Sequence, residues 1–592
     1  MHLSRWTVDS QEVRRDSVVS SEGCFTGASL PLQWGTFSTA RRKRRFIAMA
    51  RAALILAAPF AALIDASPAR AQNALQLMSA PGSLIIEDAG DKRLNFKVTP
   101  ANAFDGEAIA TLYRYDDNGE LSQSPIKDYR ISPTKSSGGQ QLSLNVSLPG
   151  AGLYVLDMKL SSKSGDEIAS QKVSLAVLAA GQGSFSEAGV QTHFAHGKGV
   201  PSIVLPLVKR AGFTWIRDEV YWSAIEKTPG QFQLPRNDND YGGYVRQAVR
   251  MNLKPLIELD FGNRQTYPNL FKGPQGFPQT QEERELFLRY VDKVVGFYKG
   301  YVKTWEVWNE PNFASMGGYD TYLALLKPVY SLIKKQSPDA TVLSCGGGGA
   351  GGGPGGDCIA AIAKANALAY QDGFSIHPYM SPYDPDHGYS AKGSPLSQVN
   401  VPSVWQHLQR MAQSHPKPGV GPLGVYVTEI GWPSRPEDAG LSERKQAAAA
   451  ARTYLLSRRF NTMKTVMWYD FVDDGVNPRD KEANFGLLRL DLSPKPAYAA
   501  VATVFRTVGN RMWKRSFVDN ETTKVYQYCE SDCVIAGWRR DADDGPVATS
   551  VPIPPGKYTQ IDWQGSTSTI EVNDNFEWKL GVMPKYLVPA RK

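Results

Sequence analysis

Between residues 181 and 508 the chain alternates eight times between a short apolar run and a longer amphipathic one. This alternation restricts the fold more than any other feature. The short runs are Val190–Phe194, Thr214–Arg217, Lys254–Asp260, Thr304–Trp308, Ala340–Ser344, Gly373–His377, Val425–Thr428 and Thr465–Trp468. Their length and β-branched content predict buried strands. Helical periodicity fills the intervals, as in Gln281–Tyr298, Tyr319–Lys335, Ser442–Arg458 and Lys495–Val508. Eight strand–helix units predict an α/β fold, a (β/α)8 TIM barrel with enlarged loops. The competing arrangement is an open doubly wound sheet. It normally carries a Gly-rich first turn, and none follows Val190–Phe194.

The flanks read differently. In residues 72–180, Leu142, Leu144, Val146 and Leu148 alternate with Ser143, Asn145 and Ser147. The same period of two recurs from Tyr154 to Leu160 and from Val173 to Val177, which predicts a β-sandwich. Residues 509–592 return to β, with Lys524–Tyr528 and Val534–Trp538 framing a hairpin tip and Thr567–Val572 and Glu577–Val582 as further strands. The expected division is therefore a leader (1–71), a β-sandwich (72–180), the barrel (181–508) and a small C-terminal β domain (509–592).

The leader combines a basic block, Arg41-Arg42-Lys43-Arg44-Arg45, an uncharged and mainly apolar run, Ala52 to Ile64, and Ala69-Arg70-Ala71 before Gln72. That order predicts a secretory signal peptide, hence a periplasmic or secreted protein. The apolar run falls short of the roughly 20 residues that a membrane span needs, so no stable membrane insertion is expected. Ten Lys/Arg and five Asp/Glu lie in residues 1–71, so most of the net charge of +8 belongs to that segment. The remainder is too weakly basic for a nucleic-acid partner. Beyond Cys24, the cysteines form two local pairs, Cys345/Cys358 and Cys529/Cys533. In an exported chain these predict two disulfides, each pinning a short loop. Free thiols are the alternative; a zinc cluster lacks both histidines nearby and the usual spacing.

In a barrel of this kind chemistry sits at the carboxyl ends of the strands. Strand four ends in Trp308-Asn309-Glu310-Pro311-Asn312, and strand seven ends at Glu429 in Thr428-Glu429-Ile430-Gly431-Trp432. Two glutamates on separate strand ends suit double-displacement glycoside hydrolysis, in which one carries a proton and the other is bare. Glu310 is the expected acid/base and Glu429 the expected nucleophile. At about 5–5.5 Å the charge on Glu429 should raise the pKa of Glu310. Arg217 should hold Glu429 ionised and aimed. Asn309 is expected on a sugar 2-hydroxyl, Asn263 and Tyr379 near the substrate, and His377 as an orienting group. Trp222, Trp432 and Trp468 could stack on sugar faces. Glu306, two residues deeper than Glu310, reads as an internal ion pair.

No cofactor and no metal are expected. The acidic run Asp470, Asp473, Asp474 and Asp480 misses the EF-hand spacing and suits sugar hydroxyls or water better. Gly346 to Gly356 lacks the Gly-Lys-Ser/Thr of a phosphate loop and reads as a rim loop tied by Cys345 and Cys358.

At these residues the chain resembles clan A of the glycoside hydrolases, retaining (β/α)8 enzymes. Trp-Asn-Glu-Pro-Asn together with Thr-Glu-Ile-Gly-Trp is most similar to glycoside hydrolase family 39 and its bacterial exopolysaccharide-cleaving relatives. The resemblance spans roughly residues 185 to 508 and includes Ile216-Arg217 and Phe374-Ser375-Ile376-His377-Pro378-Tyr379. It implies a retaining glycosidase with a polysaccharide or oligosaccharide substrate but does not give the sugar; the enlarged loops and flanking β domains suggest a groove for a polymer, hence endo action on a bacterial exopolysaccharide in association with its machinery. The family also holds β-xylosidases and α-iduronidases. The alternatives are an exo-acting β-xylosidase-like enzyme and a non-catalytic polysaccharide-binding or assembly protein. The last predicts loss of one glutamate, and both are present.

Overall fold

A computed structural model describes residues 75–590 apart from short segments at 79–81, 89–91, 101–105, 137–138, 182, 312–314, 348–355, 391–395, 436–440 and 575. The leader, Asn312 and most of the glycine run lie outside the described residues. All described residues fall in one unit, Ala66–Lys592.

Eight parallel strands close into a barrel: β1 (Ala188–Gln191), β2 (Trp215–Glu219), β3 (Lys254–Leu259), β4 (Thr304–Val307), β5 (Thr341–Gly347), β6 (Gly373–Ile376), β7 (Gly424–Ile430) and β8 (Met463–Trp468). Closure is made where Val190 pairs with Trp468. Each predicted strand is present, with its ends moved by a few residues. The helices fit equally well: Gln281–Tyr298 matches its predicted bounds, Tyr319–Gln336 differs by one residue at its end, and Glu443–Ser457 and Pro496–Thr507 are each one residue shorter at both ends.

Helix Gln281–Tyr298 shows why the pattern was readable. Thr280 caps it by accepting from Glu283 N–H, and Glu283 bonds back to Thr280 N–H, a capping box. Leu286, Phe287, Tyr290, Val291, Val294 and Val295 then form one buried stripe. Helix Glu443–Ser457 has no such stripe, because Gln446 through Ser457 are all buried. Its alanine run lets the C-terminal sheet close over the face that would otherwise meet water.

The flanking modules use their outer faces to grip the barrel. In the N-terminal part a four-stranded and a five-stranded sheet face each other across Phe96, Leu144, Val146, Ala110, Leu156, Met158 and Leu175. On strand Gly152–Ser162 the opposite face is buried as well, since Leu153 joins the barrel core. In the C-terminal part a six-stranded sheet and a two-stranded ribbon enclose Val525, Ile535, Tyr558, Trp578 and Leu587. Its other face presents Tyr528 and Trp538 to the barrel, where the Tyr528 hydroxyl donates to Leu455 O (3.0 Å) and Trp538 Nε1 to Asp386 Oδ2 (2.9 Å). Both disulfides form: Cys345–Cys358 ties the end of β5 to helix Gly356–Lys364, and Cys529–Cys533 closes the hairpin. Among the described residues no helix is long and apolar enough to cross a membrane.

Candidate active site

The site is built on a buried arginine. Arg217 points from β2 into the barrel, where its side chain is 1% exposed. Its Nη1 donates to Glu429 Oε1 (2.6 Å), Nε to Glu306 Oε2 (2.8 Å) and Nη2 to Glu258 Oε1 (2.5 Å). Gln191 and Asn309 accept further bonds, each at 3.0 Å. One planar cation thus orients side chains from β1, β3 and β7 and from the exit of β4. Burial disfavours its charge, yet the three glutamates hold its pKa well above the ordinary arginine value. Burial pushes Glu258 well above the carboxylate range despite Arg217. Glu306 is the internal ion pair that its depth implied. Exchanging Arg217 for Met would leave buried carboxylates without their counter-ion, a loss of about 3–5 kcal/mol. Urea unfolding of Arg217→Met should show that deficit, and Arg217→Lys most of it, because an ammonium cannot reproduce the fork.

Above the arginine, β4 ends abruptly. Trp308 and Glu310 both have positive φ, 73° and 43°, a region costly for side chains with a Cβ. The turn buries Trp308 against Phe277 (4.7 Å between ring centroids) and lifts Glu310 over the mouth, its side chain 52% exposed. Two glycines make room. A Cβ on Gly346 would lie 2.0 Å from Trp308 O, and one on Gly347 3.0 Å from Glu310 Cγ and 3.2 Å from His377 Nδ1. Glu310 N–H donates to Gly346 O (2.5 Å). The start of the glycine run is therefore a strand end beneath Glu310 rather than part of a rim loop.

Glu429 is fixed on both oxygens. Besides Arg217 on Oε1, the Tyr379 hydroxyl donates to Oε2 (2.7 Å). His377, just past β6, lies between the two glutamates, with Nδ1 2.9 Å from Glu310 Oε1 and 3.4 Å from Glu429 Oε2. One oxygen of each glutamate and a ring nitrogen of His377 all fall within 4.8 Å of one another. On the other side of the ring, Nε2 meets Thr428 Oγ1 at 3.0 Å, and that hydroxyl donates to Glu306 Oε1 (3.0 Å). With its proton committed to Glu306, Thr428 accepts from His377 Nε2–H. Nδ1 and Glu310 Oε1 are left to hold one proton between them.

This pairing corrects one expectation. The pKa of Glu310 is lowered, not raised. The His377 hydrogen bond lowers it most, burial opposes, and the charges of His377, Arg217 and Lys481 lower it further. The neighbouring glutamate alone predicted the opposite sign, because the histidine's position between the two was not readable from spacing. In His377→Asn the dominant cause is gone, so the Glu310 carboxyl should titrate higher. Infrared difference titration against Glu310→Gln measures this, with kcat expected to fall about 10²-fold as Glu310 loses its anchor.

The cleft above these groups has a volume of ≈ 550 Å³. Asn309, Glu310, Tyr379 and Glu429 line it, together with Gln191, Glu219 and the aromatic residues Tyr221, Phe261, Tyr469 and Phe485. Four predicted contacts lie elsewhere. Trp222 is buried against Tyr290, with ring centroids 5.4 Å apart. Trp432 and Trp468 stack on each other at 5.8 Å inside the core. Asn263 is buried, donating to Glu226 O (2.8 Å) and accepting from Thr266 N–H (3.0 Å). The aromatic platforms of the cleft are instead near neighbours in sequence: Tyr221 beside Trp222 and Tyr469 beside Trp468. Of the acidic run, Asp473 is buried on Lys495 (2.6 Å), and Asp480 is exposed and caps Glu482 N–H (3.0 Å).

A closed parallel barrel with two glutamates across a sugar-sized gap at its carboxyl-end mouth defines the class as glycosidase. No protein-family model matches the chain, and no curated protein does. Among solved structures, a family 39 glycoside hydrolase from the gut symbiont Bacteroides cellulosilyticus WH2 is 33% identical, with 87% of this chain and 100% of that chain covered at a TM-score of 0.74. The beta-glucuronidase of Bacteroides uniformis (12% identity, 88% and 57% covered, TM-score 0.39) superposes only loosely. So does the beta-galactosidase of the psychrophilic Marinomonas ef1 (14%, 54% and 59%, TM-score 0.39), and neither bears on this chain's chemistry. The chain belongs to glycoside hydrolase family 39, and its substrate is a carbohydrate.

Proposed function

We propose that the protein is an exported retaining glycosidase that cuts within a bacterial exopolysaccharide by double displacement. The observation that carries this reading is the approach of Glu310 and Glu429 within 4.8 Å, with Glu429 held on both oxygens. A gap of that size suits direct attack by a carboxylate; inverting pairs stand about 6.5–9.5 Å apart to admit water. Glu429, held and aimed by Arg217 and Tyr379, attacks the anomeric carbon. The bond to the glycosidic oxygen breaks as that oxygen takes the proton held between Glu310 and His377. A glycosyl ester on Glu429 results. Its formation removes the charge of Glu429, and Glu310 then takes a proton from the incoming water, which releases the sugar and restores both groups.

Asn309 accepts from Arg217 through its Oδ1, which leaves its amide hydrogens for the cleft. They suit a sugar 2-hydroxyl, a bond that strengthens as positive charge develops on the ring. Tyr221, Phe261 and Tyr469, half-buried in the wall, offer stacking faces for more than one sugar unit, which favours a polymer. The two disulfides favour an oxidising compartment, hence export. Incubation with purified bacterial and plant polysaccharides, read by mass spectrometry, tests the assignment. Oligosaccharides early in digestion of a bacterial polymer are expected; monosaccharides alone from the first time points would contradict endo action.

A further inference from the structure

A second cluster lies where the barrel closes, at the wall of the cleft, which His193 and His196 also line. His193 follows β1, and Asp470 and Asp474 follow β8. His193 Nδ1 is 3.0 Å from Asp474 Oδ2 and 3.5 Å from Asp470 Oδ2, and one donor atom of each residue lies within 4.8 Å of the others. These contacts are not hydrogen bonds in geometry. Nδ1, both Asp470 oxygens and Asp474 Oδ1 are buried and have no hydrogen-bond partner. Asp470 is 1% exposed, so its two oxygens are cut off from water; the His193 ring at 3.5 Å is an ion-pair partner without hydrogen-bond geometry. The surroundings add little: Lys198 Nζ donates to the carbonyl of Asp474 and stays 4.0 Å from its carboxylate, and His196 stacks on His193 at 4.5 Å.

We propose that His193, Asp470 and Asp474 bind a first-row divalent cation such as Zn²⁺. Neighbouring donors at bond lengths of about 2.1 Å stand about 3.0–3.4 Å apart around an octahedral or tetrahedral ion, close to the two separations from His193 Nδ1. One imidazole nitrogen with two carboxylates suits a transition metal better than Ca²⁺ or Mg²⁺, which take oxygen ligands. The ion joins the loops that leave β1 and β8. The second of these carries Tyr469 into the cleft, so the ion would stiffen one wall of the sugar site. The inference stands independently of the roles of Glu310 and Glu429.

The test is calorimetric titration of the chelator-treated full chain with ZnCl2, in a Cys24→Ser background that removes the fifth cysteine. One Zn²⁺ per chain and a raised Tm are expected. Asp474→Asn should weaken binding at least 10-fold. His193→Asn should abolish it; asparagine tolerates the positive φ of 53° there. Glu310→Gln should bind as the parent does; among the described residues Glu310, His377 and Glu429 form the other constellation able to hold an ion, and this variant excludes it. Circular dichroism verifies folding, and Asp474→Asn alone decides the matter if His193→Asn fails to fold. No stoichiometric binding by the parent, unchanged affinity in Asp474→Asn, or loss of binding in Glu310→Gln would overturn the proposal.

Discussion

Glu429→Ala is expected to lower kcat about 10⁵-fold, close to 7 kcal/mol of transition-state stabilisation at 1.36 kcal/mol per decade. The carboxylate forms the covalent bond on which the proposed route depends, and no other acid lining the cleft is gripped by both Arg217 and Tyr379. The fold should survive, since Arg217 keeps Glu306, Glu258 and Gln191 as partners. Azide supplies the sharper readout. It should restore turnover by entering the space of the lost carboxylate, giving a glycosyl azide of anomeric configuration opposite to the bond cleaved. Activity near wild type would remove Glu429 from the nucleophile's role.

Removal of Glu310 should have a different signature. In Glu310→Ala, substrates with poor leaving groups should lose about 10³–10⁴-fold in kcat/KM, the usual scale for a missing general acid. A dinitrophenyl glycoside needs no proton at the departing oxygen, so its first step should be little affected. The glycosyl-enzyme then accumulates because no base activates water, and a burst of nitrophenolate precedes slow turnover. Azide should again accelerate release, here giving an azide of the same configuration as the substrate. Equal losses on both substrate types would contradict the assignment. The contrast between the two variants separates the roles, which a bare loss of activity cannot do.

The barrel was legible because every strand is a short apolar run and helices such as Gln281–Tyr298 carry a capped, one-sided stripe. The two glutamates were legible because each closes such a run. What spacing could not convey is how the chain turns after a strand ends. Past β2 and β8 the alternation of side-chain directions no longer follows the pleat. Tyr221 and Tyr469 reach the cleft while Trp222 and Trp468 pack inward. Each prediction missed by one residue, and the larger aromatic was the wrong choice because the core accommodates it. Asn263 fails for the same reason: its loop bends back, and its amide is spent on Glu226. Gly346 and Gly347 were visible as glycines, but their task, passing under Trp308 and Glu310, belongs to contacts between β4 and β5. The sign of the Glu310 pKa shift also needed three dimensions, since His377 comes from another strand.

The stereochemistry of hydrolysis tests the central claim most directly. Proton NMR of a digestion, recorded in its first minutes before the product mutarotates, reports the configuration at the new reducing end. Two carboxylates within one sugar-sized gap predict a product with the same anomeric configuration as the bond that was cut. Initial release of the opposite anomer would require a water molecule between Glu310 and Glu429, and would contradict the account.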